Sequence, residues 1–177
     1  KLWVESVHPW HLSRVNDSIW NVALNRAYSQ LSDSISVWDF TLTVGELLGT
    51  LQDSHTYVSL AEWQNELIIE YGACNLHIRS IDDKFYVQQD PLGLVWLGSE
   101  IIEINGIEIG DLLETSMKIV ATEGDGYISK LRIAEYYIDD IAIEEDDHIK
   151  DFITLTFTND VTFNYPLIKH EESEKKQ

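Results

Sequence analysis

Apolar residues in the first part of the chain recur at helical spacing. Over residues 9–31 they are Trp10, Val15, Ile19, Trp20, Val22, Ala23, Ala27 and Leu31, mostly three or four apart, which predicts a helix. Ser32-Asp33-Ser34 interrupts the pattern. A second helix is predicted from Ser36, an N-cap residue with Asp39 three positions on, along the stripe Val37, Phe40, Val44, Leu47, Leu48 and Leu51. Gly45 and Gly49 fall inside it, each costing ~1 kcal/mol relative to Ala, which is tolerable where another helix packs closely. The helix stops at Gln52-Asp53-Ser54, and residues 55–60 alternate like a short strand.

From about Leu67 the periodicity shortens. Residues 75–80 and 84–88 read as a hairpin around Ile81-Asp82-Asp83, and 100–104 with 107–109 as a second around Asn105-Gly106. Residues 111–120 and 127–137 read as helices separated by Glu123-Gly124-Asp125-Gly126. Residues 152–157 and 161–165 form a last hairpin around Thr158-Asn159-Asp160. The expected architecture is α+β: a helical cap over 1–65, a β-rich domain over 66–168 and a polar tail or linker over 169–177.

The 177 residues carry 12 Lys and Arg against 31 Asp and Glu, a formal charge of −19, and 44% are hydrophobic. That apolar content excludes disorder for the bulk of the chain. The charge argues against binding nucleic acid or an anionic membrane surface. No apolar run reaches the ~18 residues of a membrane span, so membrane insertion is not expected. The single cysteine, Cys74, cannot form an internal disulfide.

Neither G-x-S-x-G nor S-x-x-K occurs, and Cys74 lacks a nucleophile's sequence context. His8 and His11 have no following carboxylate at metal-binding spacing, and His77 reads as a strand residue. The run Glu144-Glu145-Asp146-Asp147, followed by His148, lacks the ligand order of a calcium loop. Glu123-Gly124-Asp125-Gly126 is too short for one, and both segments read as solvated surface. No metal and no cofactor is expected. His55 stands at a junction of elements, a place where catalytic groups are often held; on position alone it reads as a hydrogen-bonded structural histidine.

Several segments in order resemble the N-terminal half of the carboxy-terminal-processing and tricorn-type serine peptidases, particularly the bacterial tricorn-like branch. His8-Pro9 stands where the helical cap of those proteins opens. Leu47-Leu48-Gly49-Thr50-Leu51-Gln52-Asp53-Ser54-His55-Thr56 resembles the helix that ends in Asp-Gly-His-Thr, with Ser54 replacing the usual glycine. Tyr71-Gly72-Ala73-Cys74-Asn75-Leu76 resembles a PDZ carboxylate loop and the strand after it. Gly98-Ser99-Glu100-Ile101-Ile102-Glu103-Ile104-Asn105-Gly106 resembles the Gly-Asp-x-Ile-Leu-x-Ile-Asn-Gly signature, with Ser99 in place of aspartate. The usual helix between the PDZ strands is reduced to 90–97.

The resemblance implies an exported protein whose second part is PDZ-like and whose substrate is a polypeptide. It implies that His55 is the general base, as in tricorn-type members; in processing-type members a lysine does this work and His55 would be structural. It implies peptide binding at Tyr71, Gly72, Ala73, Cys74, Asn75 and Leu76, with the peptide adding a strand beside 75–80. The nucleophile would lie in a further, C-terminal catalytic domain, leaving this portion inactive alone. The alternative is a stand-alone PDZ-like peptide-binding or scaffold module without catalysis.

Overall fold

The computed structural model describes residues 15–124, 126–146 and 151–169. His8-Pro9, His11, Asp125, Asp147, His148 and most of the polar tail lie outside them. The chain is α+β and divides into two compact units, Lys1–Ser59 with Met117–Ile133, and Leu60–Ser116 with Ala134–Gln177. Residues 117–133, placed with the β-rich part by sequence, thus belong with the N-terminal helices.

In the first unit, α1 (Asp17–Gln30) starts where Asn16 accepts the Ile19 N–H at 3.0 Å. Its buried face is Trp20, Leu24 and Ala27, whereas Ile19 and Val22 of the predicted stripe are exposed. Trp20 decides the orientation: it packs with Val15 and Leu51 in one cluster that Leu47 and Leu48 complete. Helix α2 (Val37–Gly49) has the predicted cap, with the Asp39 N–H donating to Ser36 Oγ at 2.9 Å and the Ser36 hydroxyl donating back at 2.8 Å. Trp38, Thr41 and Gly45 are buried on it, while Val37 and Phe40 are exposed. Residues 55–60 form no strand; the chain turns at 54–55 and runs on irregularly.

The second unit begins with a helix the sequence did not announce, α3 (Ala61–Glu70), which buries Trp63 and Leu67. The strands follow as β1 (His77–Ile81), β2 (Lys84–Gln89), β3 (Glu100–Ile104), β4 (Ile107–Glu108), β5 (Phe152–Phe157) and β6 (Thr162–Pro166). They form one antiparallel sheet in the order β1-β2-β3-β5-β6, with β4 folded back on β3. Between β4 and β5 run α4 (Ile109–Ile119), α5 (Tyr127–Ala134), a 3-10 turn (Glu135–Tyr137) and α6 (Ile138–Glu144), the last also unannounced. Ile78, Val87, Ile101, Ile104, Ile153 and Leu155 are buried on the strands, and Ile138, Ile141 and Ala142 on α6.

The hairpin turns form where predicted because their residues accept left-handed backbone: Asp82 and Asp83 at φ 50° and 59°, Asn105 and Gly106 at 54° and 78°. Asn105 adds to this. Its Oδ1 accepts the Thr154 N–H at 2.8 Å and its Nδ2 donates to the Ala142 carbonyl at 3.1 Å, joining turn, β5 and α6.

Gly45 is where α2 meets α4. A Cβ there would lie 3.0 Å from Ile119 Cγ2 and 3.1 Å from its Cα, whereas at Gly49 it would meet only the Lys118 carbonyl at 3.6 Å. Gly45→Val is therefore expected to cost about 1–3 kcal/mol by overpacking. Gly49→Ala should be neutral or gain up to about 1 kcal/mol of helix propensity. Urea unfolding of both variants measures the contrast.

Candidate active site

The geometry around His55 begins with burial. Leu51 is 1% exposed and pins the end of α2 in the apolar cluster. The Leu51 and Gln52 N–H groups then bond back to the Leu48 and Gly49 carbonyls, at 2.9 and 3.3 Å, tightening the last turn. Gln52 takes a left-handed conformation, φ 52°, which ends the helix and delivers Asp53 into a turn. The Gln52 carbonyl accepts the Gly124 N–H at 3.0 Å, so the loop after α4 is tied to this turn.

Asp53 organises the turn from within. Its Oδ2 accepts the Thr56 hydroxyl at 2.6 Å, and its Oδ1 lies 3.3 Å from both the His55 N–H and His55 Nδ1. The Asp53 side chain is only 11% exposed, but that of His55 is 87% exposed. The ring is thus held at one nitrogen and open to solvent over most of its surface. Glu123 approaches from the tied loop, its Oε1 3.7 Å from Nδ1 and accepting the Ser54 hydroxyl at 3.2 Å.

His55 thus stands beside two carboxylates, and the three offer ligand atoms that all lie within 4.8 Å of one another. Sequence reasoning missed both partners. Asp53 was legible, two residues ahead in an Asp-x-His-Thr order that suits an Asx turn. Glu123 was not, because it stands 69 residues beyond Ser54 and is brought in by the path of α4; it is exposed in the break expected there, yet bonded to Ser54. An Nδ1–H donated toward Asp53 would leave the Nε2 lone pair outward, the arrangement of a histidine poised to take a proton.

Two crystal structures share this fold. One is mature CPAF, with a TM-score of 0.50 and 14% identity over 81% of this chain and 27% of that chain. The other is a serine-to-alanine mutant of CPAF, with a TM-score of 0.50 and 17% identity over 93% and 29%. CPAF is a serine protease, so the fold is one found within a serine protease, and the likeness at this identity concerns the fold alone. This chain spans less than a third of the length of CPAF. No family model matches the sequence, and no curated protein does.

In the segment expected to receive a peptide carboxylate, the Tyr71, Gly72, Ala73 and Leu76 N–H groups are bonded within the chain. The Tyr71 and Gly72 N–H groups cap α3 by donating to the Leu67 and Ile68 carbonyls, at 2.8 and 3.0 Å. Ala73 and Ile168 exchange both backbone bonds at 2.9 Å. Gly72, at φ 103°, is needed because a Cβ would lie 3.0 Å from the Ile168 carbonyl carbon. Cys74 and Leu76 are buried, Asn75 is exposed, and the Leu76 N–H turns back to the Cys74 carbonyl at 2.7 Å. Along β1, the N–H of Ser80 donates to the buried Glu135 at 2.7 Å, and Glu135 also pairs with Arg79 at 3.4 Å. The Gly72 and Ala73 N–H groups, within the segment that resembles a carboxylate loop, are thus bonded inside the chain. In the shortened segment 90–97, Asp90 accepts the Leu92, Leu94 and Val95 N–H groups and the Tyr165 hydroxyl. Trp96 is left exposed beside a cavity of about 400 Å³ that Phe157, Val161 and Phe163 also line.

Burial raises the Cys74 thiol well above its ordinary pKa, and its hydrogen-bond partner Asp139 adds to the effect. Asp139 is itself raised well above the carboxylate range, first by burial and then by its neighbour Asp140. Asp140 is raised by burial as well, against a 2.6 Å hydrogen bond from Gln64. The thiol is therefore a poor nucleophile. A carboxyl raised in the folded state contributes stability that is complete below its unfolded pKa and is lost as pH rises through its folded value. Stability should accordingly decline from about pH 4.5 to about pH 7.5 more steeply in the parent than in Asp139→Asn, whose amide is neutral throughout. Urea midpoints at the two pH values check this, and equal slopes would contradict it.

Proposed function

We propose that this chain is the non-nucleophilic portion of a serine endopeptidase of the carboxy-terminal-processing/tricorn type, and that His55 is its general base. The observation that carries the reading is the exposed imidazole whose Nδ1 faces Asp53 at 3.3 Å. The fold shared with part of CPAF supports it at the level of architecture. On this reading the sheet-bearing unit is the PDZ-like domain, the substrate is a polypeptide and the protein is exported. The serine and its oxyanion donors come from outside these 177 residues.

The chemistry follows from the ring. With its one proton on Nδ1, directed at Asp53, the neutral imidazole accepts the serine proton at Nε2 while Oγ bonds to the scissile carbonyl carbon. The resulting imidazolium is stabilised by Asp53 and by Glu123 nearby. It returns the proton to the leaving amine as the C–N bond breaks, and water then repeats the sequence on the acyl-enzyme.

In the whole encoded protein, His55→Ala is expected to slow fluorophosphonate labelling by roughly 10²–10⁴-fold. Its melting temperature should barely move, because the side chain is 87% exposed. Asp53→Asn should give an intermediate loss. Labelling of a folded His55→Ala variant at the parent rate would exclude the base and leave the fold to a binding module.

A further inference from the structure

We infer that Asp53, His55 and Glu123 form a binding site for a divalent cation of the zinc class. Their separations also suit the edges of a metal site. Charge-assisted N–H to carboxylate bonds run at about 2.7–2.9 Å, but Nδ1 lies 3.3 Å from Asp53 Oδ1 and 3.7 Å from Glu123 Oε1. Ligand atoms about 2.0–2.1 Å from a tetrahedral ion are about 3.3 Å from each other. Both nitrogen–oxygen separations are therefore close to the edges of such a site, and the three ligand atoms all lie within 4.8 Å of one another.

The donor set selects the cation. One imidazole nitrogen with two carboxylate oxygens suits zinc and its neighbours, whereas calcium takes six to eight oxygens. Supports for the ligands are already in place. Thr56 holds the second oxygen of Asp53 at 2.6 Å, Ser54 holds Glu123 at 3.2 Å, and the Gly124–Gln52 backbone bond fixes the two segments together. The exposed face of the ring leaves a fourth position to water. Spacing along the sequence could not suggest this cluster, because Glu123 is a distant residue that only the fold brings to His55.

Metal at Nδ1 would forbid the chemistry proposed for His55. A neutral imidazole ligated through Nδ1 carries its proton on Nε2, the atom that must be bare to take a proton from serine. Zinc would therefore act as a reversible inhibitor. This consequence rests on the proposed function; the cation site does not.

Zinc titration of this chain by calorimetry at neutral pH tests the site, with Glu123→Gln and His55→Asn in parallel. Both side chains are substantially exposed, so neither change disturbs the core. One saturable site per chain, weakened about tenfold or more by each variant, is the expected result. No saturable binding up to about 1 mM, the weak end of specific association, would overturn the site. So would binding that both variants retain, since other histidines would then be responsible. In the whole protein, zinc should suppress fluorophosphonate labelling and a chelator should restore it. Saturable zinc binding lost in the variants, with labelling undiminished, upholds the site and contradicts the role of His55 as base.

Discussion

The carboxylate of Asp53 is the contact on which the candidate site depends. A single side chain takes the Thr56 hydroxyl on one oxygen and faces the His55 N–H and ring on the other, so it shapes the turn and orients the imidazole together. It can do so because its own position is fixed from the interior. Trp20, Val15 and Leu51 close an apolar cluster, Leu51 ends α2 in place, and Gln52 turns left-handed to redirect the chain. An exposed ring is thereby mounted on a rigid base. Buried apolar area supplies the rigidity, and a few polar contacts translate it into the direction of one nitrogen.

The sheet-bearing unit relies on the same device with different residues. Asn105 turns the β3–β4 hairpin while bonding β5 and α6, and Glu135 satisfies the outer edge of β1 at Ser80. Polar side chains facing the interior here are matched to particular backbone groups, and an unmatched one would be costly. The same matching consumes the N–H groups of Gly72 and Ala73. The loop that resembles a carboxylate receptor is, in its hydrogen bonding, a helix end joined to the strand-like residue Ile168.

Where the sequence was legible, local chemistry decided the outcome. Asp82-Asp83 and Asn105-Gly106 are residues that tolerate the left-handed backbone of a tight turn, and Ser36 with Asp39 caps its helix through bonds between neighbours in sequence. The α+β class followed from those signals. Legibility ended where packing decides. Ile19 and Val22 had the right period but lost the buried face of α1 to Trp20 and Leu24. Helix α3 has only Trp63 and Leu67 buried among acidic neighbours, and α6 packs Ile138, Ile141, Ala142 and Ile143 into seven residues, too little for a helical period to stand out. The alternation over 55–60 had no strand to pair with, and Asp53 bent it into a turn. His55 and Asp53 could be singled out from their order; Glu123 could not, since its approach depends on where α4 ends.

Whether Asp53 orients a base is read from the tautomer of His55, given by the nitrogen chemical shifts of its ring in a metal-free, ¹⁵N-histidine-labelled sample. The expected result is a proton on Nδ1, toward Asp53, with Nε2 bare. A ring protonated on Nε2 would contradict it, because Asp53 would then not be orienting a base.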